Sequence, residues 1–158
     1  MKDKKELADQ AGALALKLEI EHGCCPQCVL AAVQDTVGLI SDETIKASHG
    51  LSGGGGLSGV GLCGSLVGGI LALGAKRGRD REKFAKGKFI GNFSKANELS
   101  LEFKEKFGGL TCQELQQQFT GKTYDMWKPE EYKEFTDNRG DQCARTAEFV
   151  TRWVVEKL

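Results

Sequence analysis

The chain has 158 residues, a length that suits one domain spanning 1–158 and burying on the order of 70% of the surface its unfolded form exposes. Its 22 Lys and Arg balance 22 Asp and Glu, so it lacks the long-range attraction for phosphate backbones or anionic membranes that nucleic-acid-binding and peripheral proteins carry, and no nucleic-acid partner is expected. Glycine is abundant at 21 and proline scarce at 2, which is not the composition of a disordered chain and leaves the glycines a geometric role.

The opening Met1-Lys2-Asp3-Lys4-Lys5-Glu6 mixes acids with bases. The apolar patch Ala11 to Leu16 is cut by Lys17 and followed by Glu19 and Glu21, with no small-residue cleavage site. A cytoplasmic location is therefore expected, where cysteines more often serve metal or redox chemistry than staples. Leu7, Ala11, Leu14 and Leu18 recur at helical spacing and stop at Gly23. Pro26 suits a first turn, with Val29, Leu30, Val33 and Val37 as the buried stripe before Gly38. Ser41 caps a short helix reaching about Ser48, with Asp42 and Glu43 in its first turn.

From Ala47 to Ala75 no residue is charged, and Lys76-Arg77-Gly78-Arg79 follows. A membrane span is not expected, because Leu57 to Ala75 is interrupted by Ser58, Ser65 and repeated glycines and has only eight Leu, Ile and Val in nineteen residues. The pattern predicts a glycine-rich loop, Gly53 to Gly56, before a buried central helix carrying Cys63, Leu66, Val67, Ile70 and Leu73 and ending at Gly74. Gly64-x-x-x-Gly68 marks a close helix approach. A long amphipathic helix is predicted from Asp80 to about Phe107, with Phe89, Phe93, Ala96, Leu99, Phe103 and Phe107 inward and Gly87-x-x-x-Gly91 inside it. That glycine pair suggests close packing within the chain or in a homodimer. Thr111-x-x-Glu114 is a capping box, and Asp141 caps a last helix whose stripe is Ala147, Val150 and Val154. With no alternating strand, the fold expected is all-α, a compact bundle of about six to seven helices.

Four of the six cysteines fall at predicted helix N-termini: Cys25 before Pro26, Cys63 after the glycine loop, Cys112 after Thr111 and Cys143 two past Asp141. Free backbone N–H groups and the helix dipole stabilise anions there and bring a thiol pKa from about 8.5 to roughly 3.5–7.5 in favourable cases. The segment Cys24-Cys25-Pro26-Gln27-Cys28 adds a C-x-x-C, whose spacing allows dithiol or metal chemistry. A thioredoxin fold would need a sheet. A zinc site would need a second close pair, whereas four thiolates converging from helix ends suit an iron–sulfur cluster. The glycine run has no Lys-Ser/Thr after it and reads as a turn rather than a phosphate cradle. The basic run Lys76 to Lys88 reads as a solvated face able to dock an acidic partner. His22, beside Cys24, and His49 are too separated for a catalytic pair.

Cys25-Pro26-Gln27-Cys28-Val29-Leu30, Cys63-Gly64-Ser65-Leu66-Val67-Gly68, the Cys112 segment and Cys143 together resemble the C_GCAxxG_C_C family of small redox-active proteins, over about Leu7 to Val155. Ser65 stands where the family has alanine, and Cys24 and Cys28 are additions. The resemblance implies redox-active Cys25, Cys63, Cys112 and Cys143, gathered near one end of the bundle. It extends to split-Soret cytochromes, but Val29 rather than His follows Cys28, so c-type haem is not expected. The function expected is electron or sulfur transfer with a redox partner protein or a small sulfur compound. The four cysteines would act as iron–sulfur ligands or as reversible dithiols, with Gly61, Gly64 and Gly68 bordering a bound cofactor. The alternative is a non-catalytic zinc or other metal carrier or structural protein. Cys24 and Cys28 would then extend the metal ligand set or provide a resolving thiol.

Overall fold

The computed structural model describes residues 3–158; Met1 and Lys2, part of the mixed-charge opening, lie outside the described residues. Eight α-helices follow one another: α1 (Lys4–His22), α2 (Cys25–Val37), α3 (Asp42–Ala47), α4 (Gly64–Arg77), α5 (Ile90–Phe107), α6 (Cys112–Thr120), α7 (Pro129–Arg139) and α8 (Gln142–Lys157). Two short 3-10 segments, His49–Leu51 and Arg81–Lys86, lie between them. Among the described residues there is no strand, only one antiparallel bridge between Leu62 and Thr111. The fold is all-α.

Small side chains set the tightest contact. Ala8, Ala11, Gly12 and Ala15 are buried where α1 lies along α8, and a Cβ on Gly12 would stand 2.3 Å from Arg152 Cγ. The expected leucine stripe is displaced: Leu7, Leu14 and Leu18 flank this face and are only partly buried. α2 packs on α1, α4 and α8, burying Val29, Leu30 and Val33 before the left-handed cap at Gly38. α4 is the central helix, against α2, α5 and α8, with Leu66, Ala72 and Leu73 fully buried. Each of the two leucines contributes roughly 1.5–3 kcal/mol by leaving water. Ala147, Val150 and Val154 form the inward stripe of α8 as its periodicity predicts. Tyr124, Met126 and Phe135 make a separate small cluster beside α6.

Four expectations are corrected. The central helix passes Gly74 and ends at Arg77, because the backbone at Gly74 is helical and nothing crowds it. The long helix from Asp80 is broken: Gly87 takes φ +133° and Phe89 a left-handed conformation, so α5 starts only at Ile90. Gly87 therefore lies outside the helix that Gly91 belongs to, and Phe93 is 63% exposed rather than inward. The helix α7 raises the count above six to seven; its pattern was illegible because only Phe135 in it is buried. Among the described residues, no helix is long and apolar enough to cross a membrane.

Candidate functional site

Local devices place two of the four helix-start cysteines, Cys25 and Cys112, whereas neither Cys63 nor Asp141, the N-cap before Cys143, makes a side-chain cap hydrogen bond. Cys25 is the first residue of α2, where the neighbouring Pro26 lacks the N–H that would otherwise be unsatisfied. Cys63 is the N-cap of α4. Cys112 opens α6 behind the capping box, in which Thr111 Oγ1 accepts from the Glu114 N–H at 3.2 Å and Glu114 Oε2 accepts from the Thr111 N–H at 2.9 Å. Cys143 is the second residue of α8.

The Leu62–Thr111 bridge sets two of these starts side by side: Cys63 N–H donates to the Leu110 carbonyl at 2.8 Å, and Cys112 N–H to the Gly61 carbonyl at 3.1 Å. Gly61 N–H in turn donates to the Gly54 carbonyl at 3.0 Å. A Cβ at 61 would lie 2.3 Å from that oxygen, so only glycine lets the loop fold back here. The glycine run is thus a closely packed turn that positions Cys63 and Cys112. Gly64 lets α2 and α4 meet, since a Cβ there would lie 2.8 Å from Pro26 Cδ and 3.2 Å from Cys25 Cβ.

Cys25, Cys63, Cys112 and Cys143 all open on one cavity of about 60 Å³, together with Cys24, Gly64 and Thr146. That is space for a few waters or a small ligand. Gly61 and Gly68 do not line it; Gly68 instead faces the Pro26 carbonyl and Val29 in α2. Cys28 does not line it either: it is buried and its thiol donates to the Gly23 carbonyl at 2.9 Å. Cys24 sits at φ +64°, its thiol 3.7 Å from the His49 carbonyl. His22 faces Glu21 at 3.7 Å on the surface. All six cysteines are free thiols.

Two charged residues that the sequence reading did not single out complete the wall. Glu19 of α1 is only 5% exposed; its Oε1 accepts from the Cys25 thiol at 3.6 Å, and its Oε2 has no partner. Arg139, at the end of α7, is the cavity's cation. Glu19 continues the run of Ala11 and Ala15 at spacings of four, a signal that would have found it; Arg139 had none.

Burial pushes the Glu19 carboxyl above its ordinary range, opposed by Arg139. It pushes the Cys25 thiol well up, reinforced by Glu19 and Cys63. Cys63 is raised by burial as well, although the N–H groups of Leu66 and Ser65 at the helix start act the other way. Cys112 is pushed up to about 11 and Cys143 to about 12, both chiefly by burial, with Arg139 working against the rise. The expected lowering at helix N-termini is overturned: the helix ends act in the anticipated direction at Cys63, but desolvation outweighs them. Cys63 is the electrostatic hub, since a thiolate there opposes ionisation of Cys25, Cys112 and Cys143. Among the described residues, no three His, Cys, Asp or Glu group closely enough to hold one metal ion.

Two further contacts brace the wall. Gln116, fully buried, donates to Cys112 Sγ at 3.6 Å and accepts from the Tyr124 N–H at 2.9 Å. Thr146 holds the starts of α4 and α8 together through Ser65 and the Cys143 carbonyl.

The model of a family described as "Putative redox-active protein (C_GCAxxG_C_C)" matches residues 23–157. Searches of the curated proteins and of the solved structures found no match.

Proposed function

The chain belongs to the C_GCAxxG_C_C family, and from that premise we propose that it is a thiol redox protein working through reversible dithiol–disulfide exchange at the cysteine-lined cavity. The observation that carries this reading is the convergence of Cys25, Cys63, Cys112 and Cys143, from four different helices, on one small cavity that also holds a carboxyl and a guanidinium. A dithiol cycle needs only two sulfurs to meet at a time, and the shared cavity offers several cysteines from which such a pair can form.

The hydrogen bond to Glu19 makes Cys25 the first nucleophile, and Cys63, buried on the same cavity, is the resolving thiol. The Cys25 thiol passes its proton to Glu19, and the thiolate attacks one sulfur of a disulfide carried by a redox partner or a small sulfur compound. That external S–S bond breaks, the outer sulfur leaves as a thiolate and takes up a proton, and Cys25 holds the other half as a mixed disulfide. Cys63 then loses its proton and attacks Cys25 Sγ, expelling the second thiolate, which is protonated in turn. Two cysteine thiols are oxidised to one disulfide and one external disulfide is reduced to two thiols. Arg139 stabilises the transient anions beside Cys25 and Cys143.

The test is purification without oxygen, followed by a visible spectrum, iron, zinc and acid-labile sulfide contents, and thiol counting during titration with a small disulfide. Colourless, metal-free protein that loses thiols in pairs, with Cys25–Cys63 in the first disulfide-linked peptide, is the expected result. Brown protein with iron and sulfide would overturn it in favour of iron–sulfur ligation by the four cysteines, and stoichiometric zinc in favour of a metal carrier or structural site.

A further inference from the structure

The overall charge balance conceals a local segregation. Between Lys76 and Lys88 the chain holds seven bases against two acids, so the remainder carries the compensating negative charge. At physiological salt the screening length is about 8 Å, so a surface docking at this segment meets its cations rather than the molecule's net charge.

The segment leaves α4, makes the 3-10 stretch Arg81–Lys86 with no buried residue, and turns at Gly87 and Phe89 into α5. Here Phe84 is 57% exposed and Ile90 64%. Phe84, Phe89 and Phe93 line one open groove of about 450 Å³ with Arg79, Lys88 and Asn92. The loop is held in this shape by Arg79, which donates to the Gly87 carbonyl at 2.8 Å while its guanidinium lies 4.8 Å from the Phe84 ring centre. Lys83 Nζ stands 5.9 Å from the Phe89 ring centre. Cations and uncovered aromatic rings therefore alternate on a single face, which shares no residue with the cysteine cavity.

We propose that this face docks on an anionic lipid surface, with Phe84 and Phe93 entering the boundary between headgroups and acyl chains and the surrounding bases meeting lipid phosphates. Clustered Lys and Arg interleaved with exposed aromatics match both the electrostatic and the apolar requirements of such a surface. A second copy of the chain would set two cationic segments against each other. An acidic segment without apolar side chains would neutralise the bases but leave the phenylalanines in water, where large uncovered apolar groups are costly.

The full chain is sedimented with phosphatidylcholine vesicles, with and without phosphatidylglycerol, at low and high salt. Binding confined to the phosphatidylglycerol vesicles and weakened by salt is expected. K86Q/K88Q should weaken it roughly thirty-fold, from the contribution of each base near a charged bilayer, whereas Lys83 is already paired with Asp80 at 2.7 Å. F84S/F93S should weaken it roughly ten-fold or more while keeping the preference for anionic lipid. Both variants alter only exposed positions, so their thermal melting and the pairwise thiol oxidation should match the parent chain. No sedimentation with phosphatidylglycerol vesicles at low salt, or equal binding to both vesicle types, would overturn the proposal. Capture by polyglutamate at the parent level in F84S/F93S, without vesicle binding by the parent chain, would replace it with an acidic protein partner.

Discussion

The Ser65 hydroxyl lies 2.8 Å from the Thr146 hydroxyl in the fully buried seam between α4 and α8. Thr146 donates its own proton to the Cys143 carbonyl at 2.6 Å, so Ser65 is the donor in the pair. Cys63 Sγ approaches the same threonine oxygen at 3.9 Å. One side chain thus links the helix starts that carry Cys63 and Cys143, and the Ser65 hydroxyl supplies one of its contacts. Ser65→Ala should cost about 1 kcal/mol, the usual worth of one hydrogen bond. Thr146→Val should cost more, about 1–3 kcal/mol, because it strands the Ser65 donor in the core. Urea unfolding of the reduced variants checks the order; equal costs would break the assignment of donor and acceptor.

Gly68 controls how closely α2 approaches α4. A Cβ there would lie 3.0 Å from both the Pro26 carbonyl oxygen and Val29 Cβ, neither at the end of a flexible chain. Gly68→Ala should destabilise by about 1–3 kcal/mol through overpacking. It should also slow disulfide formation between Cys25 and Cys63, since α2 carries the first of them. Gly74→Ala, in the same helix with nothing within 4 Å, should instead stabilise by up to about 1 kcal/mol through helix propensity. Thermal melts of the two variants should move in opposite directions.

The buried thiols predict a loss of stability in alkali. A group whose pKa is raised on folding contributes stability that is complete below its unfolded value and disappears as pH climbs through the folded one. For Cys112 and Cys143 that window opens near 9.0 and reaches about 11 and about 12. Unfolding free energies of the reduced protein should fall across this range, and Cys112→Ser and Cys143→Ser should each flatten the fall. Iodoacetamide should also modify both thiols at neutral pH more slowly than a free thiol.

Glu19 follows the same sign with the opposite practical reading. Its raised pKa means that its favourable contribution is complete below 4.5 and lost as the carboxyl ionises above it. Glu19→Gln should therefore gain stability relative to the parent chain as pH rises from acid to neutral. The same substitution should speed alkylation of Cys25, because it removes the negative charge that, with burial, holds the thiol up. A variant that is stabler near neutral pH and more readily alkylated at Cys25 is the expected outcome; unchanged Cys25 reactivity would show that Glu19 does not govern ionisation of the thiol.

The helix starts were legible because they are written in local signals. The capping box at Thr111, Pro26 behind Cys25, the glycine stops at 23 and 38, and Ser41 all act within one turn of the residues they place. From them follows the convergence of four cysteines on helix ends. What was not legible depends on contacts between elements. The burial of Glu19 is set where the end of α1 meets the other elements around the cavity, so it passes in the sequence as one charge among many. Arg139 lies on a polar helix with a single buried aromatic, too little to register as periodicity. The phenylalanines at 89 and 93 keep the spacing of Leu99 and Phe103, but the turn at Gly87 and Phe89 interrupts the helix and the first turn of α5 buries nothing. The thiol pKa values failed for a related reason: the dipole of a helix end is a local property, whereas exclusion of water is a tertiary one.

The four cavity cysteines belong to helices far apart along the chain, and this separation couples oxidation to the stability of the entire fold. A bond between any two of them would close a long loop and restrict the unfolded ensemble, an effect of typically about 2–4 kcal/mol in favour of the native state. Thermodynamic reciprocity then applies: whatever the crosslink adds to folding, folding adds to the crosslink, at roughly 30 mV of reduction potential for each 1.4 kcal/mol. The packing of α1, α2, α4 and α8, including side chains that touch no sulfur, thereby becomes a determinant of the redox poise of the site, and a substitution deep in that core is readable as a shift in potential.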